Sequence, residues 1–314
     1  MKEVIGHGDY QYRVNRNWSK ADAVKYPVND CHEMVRAQNG LLYMLTNEVK
    51  NNILVYSKDG NIVSVWGNEF PGGHGLTIAD ENGTEYLYIT DTVRHEVIKT
   101  SLDGKIISVY SYPKEIPEYT AVNEYKPTET AVAANGDLYV TDGYGHQFVI
   151  QYDHAGNYIR HWGGKGDGRE QFDCAHGITV DSRYSEPSLL ITSRNHQALK
   201  RFTLDGQYIE TISLPGSFIC RPVIHGKNVY GAVFRSEHNQ NFGSGYVTIL
   251  DEHHRVISSP GGTEPIYADG VLQPQKQVGQ TFIHPHDVCV DADENLLIPQ
   301  WNAGKTYPVF LERV

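Results

Sequence analysis

SKDGNIVSVW, residues 57–66, reads as a strand, a tight turn and a second strand. Near-copies recur as SLDGKIISVY at 101–110, DHAGNYIRHW at 153–162 and TLDGQYIETI at 203–212, with a weaker copy, LDEHHRVISS, at 250–259. Asp-Gly is the dipeptide that supplies the positive φ angles of a two-residue hairpin, so each copy predicts an antiparallel pair joined by a short turn. A second motif lies upstream of each hairpin: NGLLYMLTN (39–47), TEYLYITD (84–91), NGDLYVTD (135–142), PSLLITSR (187–194), KNVYGAVFR (227–235) and ENLLIPQW (294–301). Most copies follow a further short apolar strand, such as GLTIAD (75–80), TAVAA (130–134), GITVD (177–181) or DVCVD (287–291).

Four short strands repeating about every 45 to 50 residues are the signature of propeller blades. The second motif occurs six times, which predicts an all-β fold, a six-bladed β-propeller of the NHL-like kind, spanning residues 1–314 as a single domain. The last copy has only PVFLERV left after Trp301 and lacks a fourth strand. QYRVNRNW near the N-terminus ends in Trp18, as other fourth strands end in Trp66 and Trp162. It is expected to complete the sixth blade and close the ring, removing two sheet edges at once.

Composition narrows the function. The net charge of −11 repels phosphate backbones and argues against nucleic acid as a partner. No stretch is apolar for long enough to span a bilayer, so a membrane partner is not expected. The first residues show no apolar h-region, which favours a cytoplasmic location. Cys31, Cys174, Cys220 and Cys289 are scattered without a CxxC pair and are expected to be reduced thiols.

In a propeller the inner strand of every blade lines the central channel, and the residue entering that strand points at its mouth. The six entries read Cys31-His32-Glu33-Met34, Gly73-His74-Gly75-Leu76, Pro127-Thr128-Glu129-Thr130, Ala175-His176-Gly177-Ile178, Cys220-Arg221-Pro222-Val223 and Pro285-His286-Asp287-Val288. Four blades therefore place histidine in one register, with Thr128 and Arg221 in the other two. The symmetry brings these four imidazoles together on the axis. Imidazole suits zinc, iron, nickel or copper, and three such ligands with open positions make a catalytic geometry. His32, His74, His176 and His286 are thus the expected ligands of one transition metal, zinc first, with iron, manganese or nickel as alternatives.

GGHGLTI, CAHGITVD and HPHDVCVD resemble the three zinc-histidine segments of the peptidyl-α-hydroxyglycine α-amidating lyases, and the likeness runs on through NGDLYVTDGYGHQFVIQYDHAGNYIRHWG. It covers blades one to four and the start of blade six. The resemblance implies a catalytic tyrosine at Tyr144 and an active-site arginine at Arg194. It also implies a calcium ion held by Asp287 and the main-chain carbonyl of Leu76. Asn47 stands where those lyases carry a second active-site arginine, and they have no histidine at the position of His32.

The chemistry expected of such a site is coherent. A metal on neutral imidazoles polarises a substrate oxygen. A tyrosine beside a cation has a lowered pKa and becomes a general base, here Tyr144. Arg194 would clamp a carboxylate or a developing oxyanion. Asn47, Glu129, His146 and Arg235 project near the same face and are candidate substrate contacts. The expected partner is a small polar molecule and the expected activity lyase-like, with hydrolase or isomerase chemistry open. Two other readings are a non-catalytic NHL-type binding propeller and a calcium-dependent hydrolase of the gluconolactonase type.

Overall fold

In the computed structural model, which describes residues 3–238 and 242–314, six antiparallel sheets surround a channel. The inner strands of blades one to five are Cys31–Arg36, Gly73–Glu81, Glu129–Val132, Ala175–Asp181 and Ser217–His225, each opening a four-stranded sheet in chain order. Blade six is assembled from both chain ends. Cys289–Val290, Leu296–Ile298 and Val309–Arg313 come from the C-terminal part, and Tyr10–Asn15 pairs antiparallel with Val309–Arg313. The expected closure is present. The structure adds a fifth strand, Val4–His7, outside it.

The core is not one mass. It consists of six apolar clusters, one in each wedge between neighbouring blades. Tyr43, Leu45 and Val55 of blade one meet Leu76, Leu87 and Ile98 of blade two, for example. Tyr12, Val14, Val309 and Leu311 of blade six meet Tyr230, Val247 and Ile249 of blade five. Apolar burial drives this packing and is spent between the blades, which leaves the axis to polar groups.

The turn that identified the repeat has a different build from the one expected. Gly60, Gly104, Gly156 and Gly206 have φ of +78°, +93°, +87° and +88°, whereas the residues before them keep negative φ. The Gly60 N–H donates to the Ser57 carbonyl and the Ser57 N–H to the Asn61 carbonyl. The loops are therefore type I turns followed by a glycine in the left-handed region, not two-residue hairpins. Each glycine also lies under an aromatic ring of the preceding blade. A Cβ on Gly104 would come 2.7 Å from Trp66, and one on Gly206 2.8 Å from Trp162. Gly60 packs on Trp18 and Gly156 on Tyr110 in the same way. The terminal aromatic of one hairpin and the turn glycine of the next are thus two halves of one contact between blades.

Candidate metal centre and its pocket

The histidine ring is made by β-bulges. In blade four Ala175 pairs with Ser193 and Ile178 with Ile191, so two residues are skipped at His176. Blades one and two slip at the same place, between Cys31 and Glu33 and between Gly73 and Leu76. A bulge re-aims side chains beside a functional site. Here it turns consecutive residues toward the axis at two depths.

Blade five corrects the expected register by one residue. Ile219 pairs with Val233 and Pro222 with Gly231, which matches Ala175 and Ile178. Cys220, not Arg221, is therefore the counterpart of His176. The upper ring reads His32, His74, Thr128, His176, Cys220 and His286. The lower ring reads Glu33, Gly75, Glu129, Gly177, Arg221 and Asp287.

The four imidazoles cluster on the axis, with neighbouring ring centroids 4.8 to 5.0 Å apart. Each of three rings is oriented by the upper-ring residue of the next blade. His74 Nδ1 lies 2.9 Å from the Thr128 carbonyl, His176 Nδ1 3.3 Å from the Cys220 carbonyl and His286 Nδ1 3.1 Å from the His32 carbonyl. A carbonyl only accepts, so Nδ1 carries the proton in each case and Nε2 is left as a bare lone pair. Burial holds all four rings well below the ordinary histidine range, His32 at about 3, so they are neutral. His32 differs in that its Nδ1 is buried without a hydrogen-bond partner.

The Tyr144 hydroxyl lies 3.1 Å from His74 Nε2 and 3.0 Å from His176 Nε2. It has one proton to donate between two acceptors. His74, His176 and His286 together present three lone pairs, a donor set that fits a transition-metal cation. His32, His74 and His286 have ligand atoms within 4.8 Å of one another, as do His176, Cys220 and His286. Cys220 is a ligand-type residue that the shifted register concealed. Burial pushes its thiol up to about 12 against the pull of Arg194.

Tyr144 is set by the DGYGH loop. Buried Asp142 accepts from the Tyr119 hydroxyl at 2.7 Å, the Lys126 N–H at 2.7 Å and the His146 N–H at 2.6 Å. A Cβ on Gly143 would meet the Ala175 carbonyl at 2.2 Å, so only glycine passes there. Arg194 donates to the Tyr144 oxygen at 3.3 Å. Tyr144 is 38% exposed to the cavity, but desolvation at its hydroxyl outweighs this guanidinium and pushes the phenol up. The lowered pKa expected of Tyr144 is therefore not supplied by the chain's own cations.

Three of the histidine segments share a feature that pattern reading missed. Phe70, Phe172 and Phe282 each lie four residues before His74, His176 and His286 and are buried to within 1%. Gly67, Gly163 and Gly261 sit against these rings. His32 has Val28 in that place, and it is also the ring without an orienting carbonyl.

Above the ring opens a cavity of about 470 Å³ whose lining includes Asn47, Tyr144, Arg194 and Arg235. Phe218, Phe234 and Trp301 add an aromatic wall that carried no repeat signal. The guanidinium carbon of Arg194 lies 5.0 Å from the Phe234 ring centre and that of Arg235 4.4 Å, cation–π range. Asn47 is tied to the segment that leads into the inner strand of blade one, accepting from the Asp30 N–H at 2.9 Å and donating to the Asp30 carboxylate at 3.1 Å. Two expected contacts do not line this cavity. His146 packs its ring against Tyr119 and Phe148. Glu129 lies in the lower ring, where its carboxylate faces Arg221.

That lower ring contradicts the calcium expectation. The Leu76 carbonyl and Asp287 do converge, but the Arg221 guanidinium lies on both, at 2.7 Å from the carbonyl and at 3.1 and 2.7 Å from the two carboxylate oxygens. Those ligands are taken by a side-chain cation, and a calcium ion does not fit beside it. Burial raises Glu33 and Glu129 above the ordinary carboxyl range, against the pull of Arg221.

Residues 123–264 match a family model described as a 6-bladed beta-propeller. The chain is a six-bladed β-propeller related to NHL-repeat proteins and α-amidating lyases. It is 32% identical over 249 residues to peptidyl-alpha-hydroxyglycine alpha-amidating lyase 1 of Drosophila melanogaster, covering 75% of this chain and 44% of that protein. It is 27% identical over 189 residues to human NHL repeat-containing protein 3, covering 54% of this chain and 51% of the relative. The chain thus spans about half the length of these relatives or less. A solved streptogramin B lyase shares the fold, with a TM-score of 0.62, 12% identity and 96% and 97% of the two chains covered.

Proposed function

We propose that this propeller is a metal-dependent, lyase-like enzyme acting on a small polar substrate in the cavity above the histidine ring. The observation that carries this reading is the cluster of buried imidazoles on the axis, with the ring centres of His74, His176 and His286 4.8 to 5.0 Å apart and each of the three held by a carbonyl on its Nδ1. The amidating-lyase relatives support it. His74, His176 and His286 would hold the ion, zinc for choice, with His32 as a fourth ligand or near neighbour. Such an ion supplies Lewis-acid polarisation of a substrate oxygen and a charge that lowers the pKa of a neighbouring phenol.

The chain's own residues do the rest. Arg194 and Arg235 present two guanidinium groups beside the aromatic wall, which suits a substrate with a carboxylate next to an apolar group. The Tyr144 hydroxyl stands between the imidazoles and Arg194, where it would hold the proton that the reaction moves. Arg194, donating to the phenol oxygen, stabilises that oxygen when the proton leaves.

The test is a turnover screen of α-hydroxy amides, lactones and oxidised sugars, followed by Tyr144→Phe. Loss of a general base costs about 10²- to 10⁴-fold in rate. We expect a loss of that order with metal content unchanged. Full activity in Tyr144→Phe would rule out the role. Metal-free wild-type protein with no turnover would favour a binding propeller.

A further inference from the structure

Below the histidines, Arg221 is in contact with three carboxylates at once. Its guanidinium reaches Asp287 through two hydrogen bonds, Glu33 at 3.0 Å, Glu129 at 3.5 Å and the Leu76 carbonyl at 2.7 Å. All three acids are buried to within 1%, and Arg221 itself keeps 7% of its surface exposed. The acids in turn tie down neighbouring strands. The Leu76 N–H donates to Glu33 at 2.6 Å, the Met34 N–H to Asp287 at 3.0 Å and the Thr77 hydroxyl to Glu129 at 3.0 Å. Blades one, two, three, five and six therefore meet on one side chain. Blade four contributes Gly177, where a Cβ would lie 2.6 Å from the Arg221 Cα, so the missing side chain is what admits the arginine.

We propose that Arg221 is the resident cation of this level of the channel, its guanidinium replacing the calcium ion that the resemblance places on Asp287 and the Leu76 carbonyl. Oxygen ligands from carboxylates and a main-chain carbonyl are the set that calcium takes. Glu129 Oε2 adds an independent sign. It is fully buried, faces the guanidinium and makes no hydrogen bond, an acceptor that one planar fork does not satisfy. A fixed side chain removes dependence on an external ion. It also positions the ring above, since Glu33 and Asp287 adjoin His32 and His286, and Leu76 lies two residues after His74.

The probe is calcium itself, added to protein whose histidine site is already loaded, with melting temperature as the readout. Wild type should not respond to millimolar calcium. Arg221→Ala leaves the acids uncompensated and should melt lower by about 5 °C or more. Calcium should restore at least half of that loss saturably, and magnesium less, because it demands a tighter octahedral shell. If Arg221→Ala fails to fold in plain buffer, recovery of folded protein only when calcium is present supports the proposal. Equal failure with and without calcium overturns it. So does an Arg221→Ala protein of wild-type stability, or a wild-type protein that calcium stabilises saturably unless Asp287→Asn is introduced.

Discussion

Trp18→Ala tests how the ring is closed. Trp18 follows the N-terminal strand of blade six and is 6% exposed. Its ring centre lies 5.1 Å from that of Tyr56 in blade one and 6.0 Å from that of Phe310, and Nε1 donates to the Lys58 carbonyl at 3.1 Å. Removing a buried tryptophan ring costs about 3–5 kcal/mol. At about 2.1 cal/mol/K per residue, a chain of 314 residues has an unfolding entropy of about 0.7 kcal/mol/K. The expected fall in melting temperature is therefore about 4–7 °C by calorimetry. Val63→Ala, on the outer strand of blade one and half exposed, is the control and should stay within about 0.5 kcal/mol of wild type. A Trp18→Ala protein that melts with the Val63→Ala control would refute the closure contact. The reciprocal change, Gly60→Ala, puts a methyl 2.0 Å from the Trp18 carbonyl at a φ of +78° and should also destabilise, by at least about 1 kcal/mol.

Three further outcomes follow from the same geometry. Deleting residues 1–19 strips the partner from Val309–Arg313 and should yield aggregating protein, whereas a soluble product with unchanged melting temperature would show that the closure is dispensable. In metal-stripped protein, imidazole NMR signals of His74, His176 and His286 should stay neutral as the pH falls through 6.5, because burial lowers their pKa. The unfolded chain then binds protons that the folded chain does not, so these rings destabilise the fold on acidification, and ordinary titration near 6.5 would contradict their burial. Arg194→Lys keeps a charge but loses the fork, and should raise KM more than it lowers kcat.

Most of the architecture was legible because a propeller repeats one unit, so six weak signals reinforce one another. The histidines were legible for the same reason, standing in one register of the repeat. Blade five was misread by one residue because it lacks the histidine that anchors the alignment elsewhere, and a bulge skips pairing without leaving a mark in composition. That slip hid Cys220 in the upper ring and Arg221 in the lower. Glu129 was assigned to the cavity because it lies beside Thr128 in sequence, whereas its carboxylate faces Arg221 in the lower ring. The Arg221 contacts gather residues from five blades far apart in the chain, and no local pattern announces such a meeting. His146 looked like a site residue by proximity to Tyr144, but the turn at Gly145 carries its ring toward Tyr119.

The account rests on one ion held by the imidazole ring, and elemental analysis of purified wild type beside His176→Ala measures it directly. About one equivalent of a transition metal in wild type, lost or sharply reduced in His176→Ala with the fold retained, is the expected result. Stoichiometric metal that survives the substitution unchanged would contradict it.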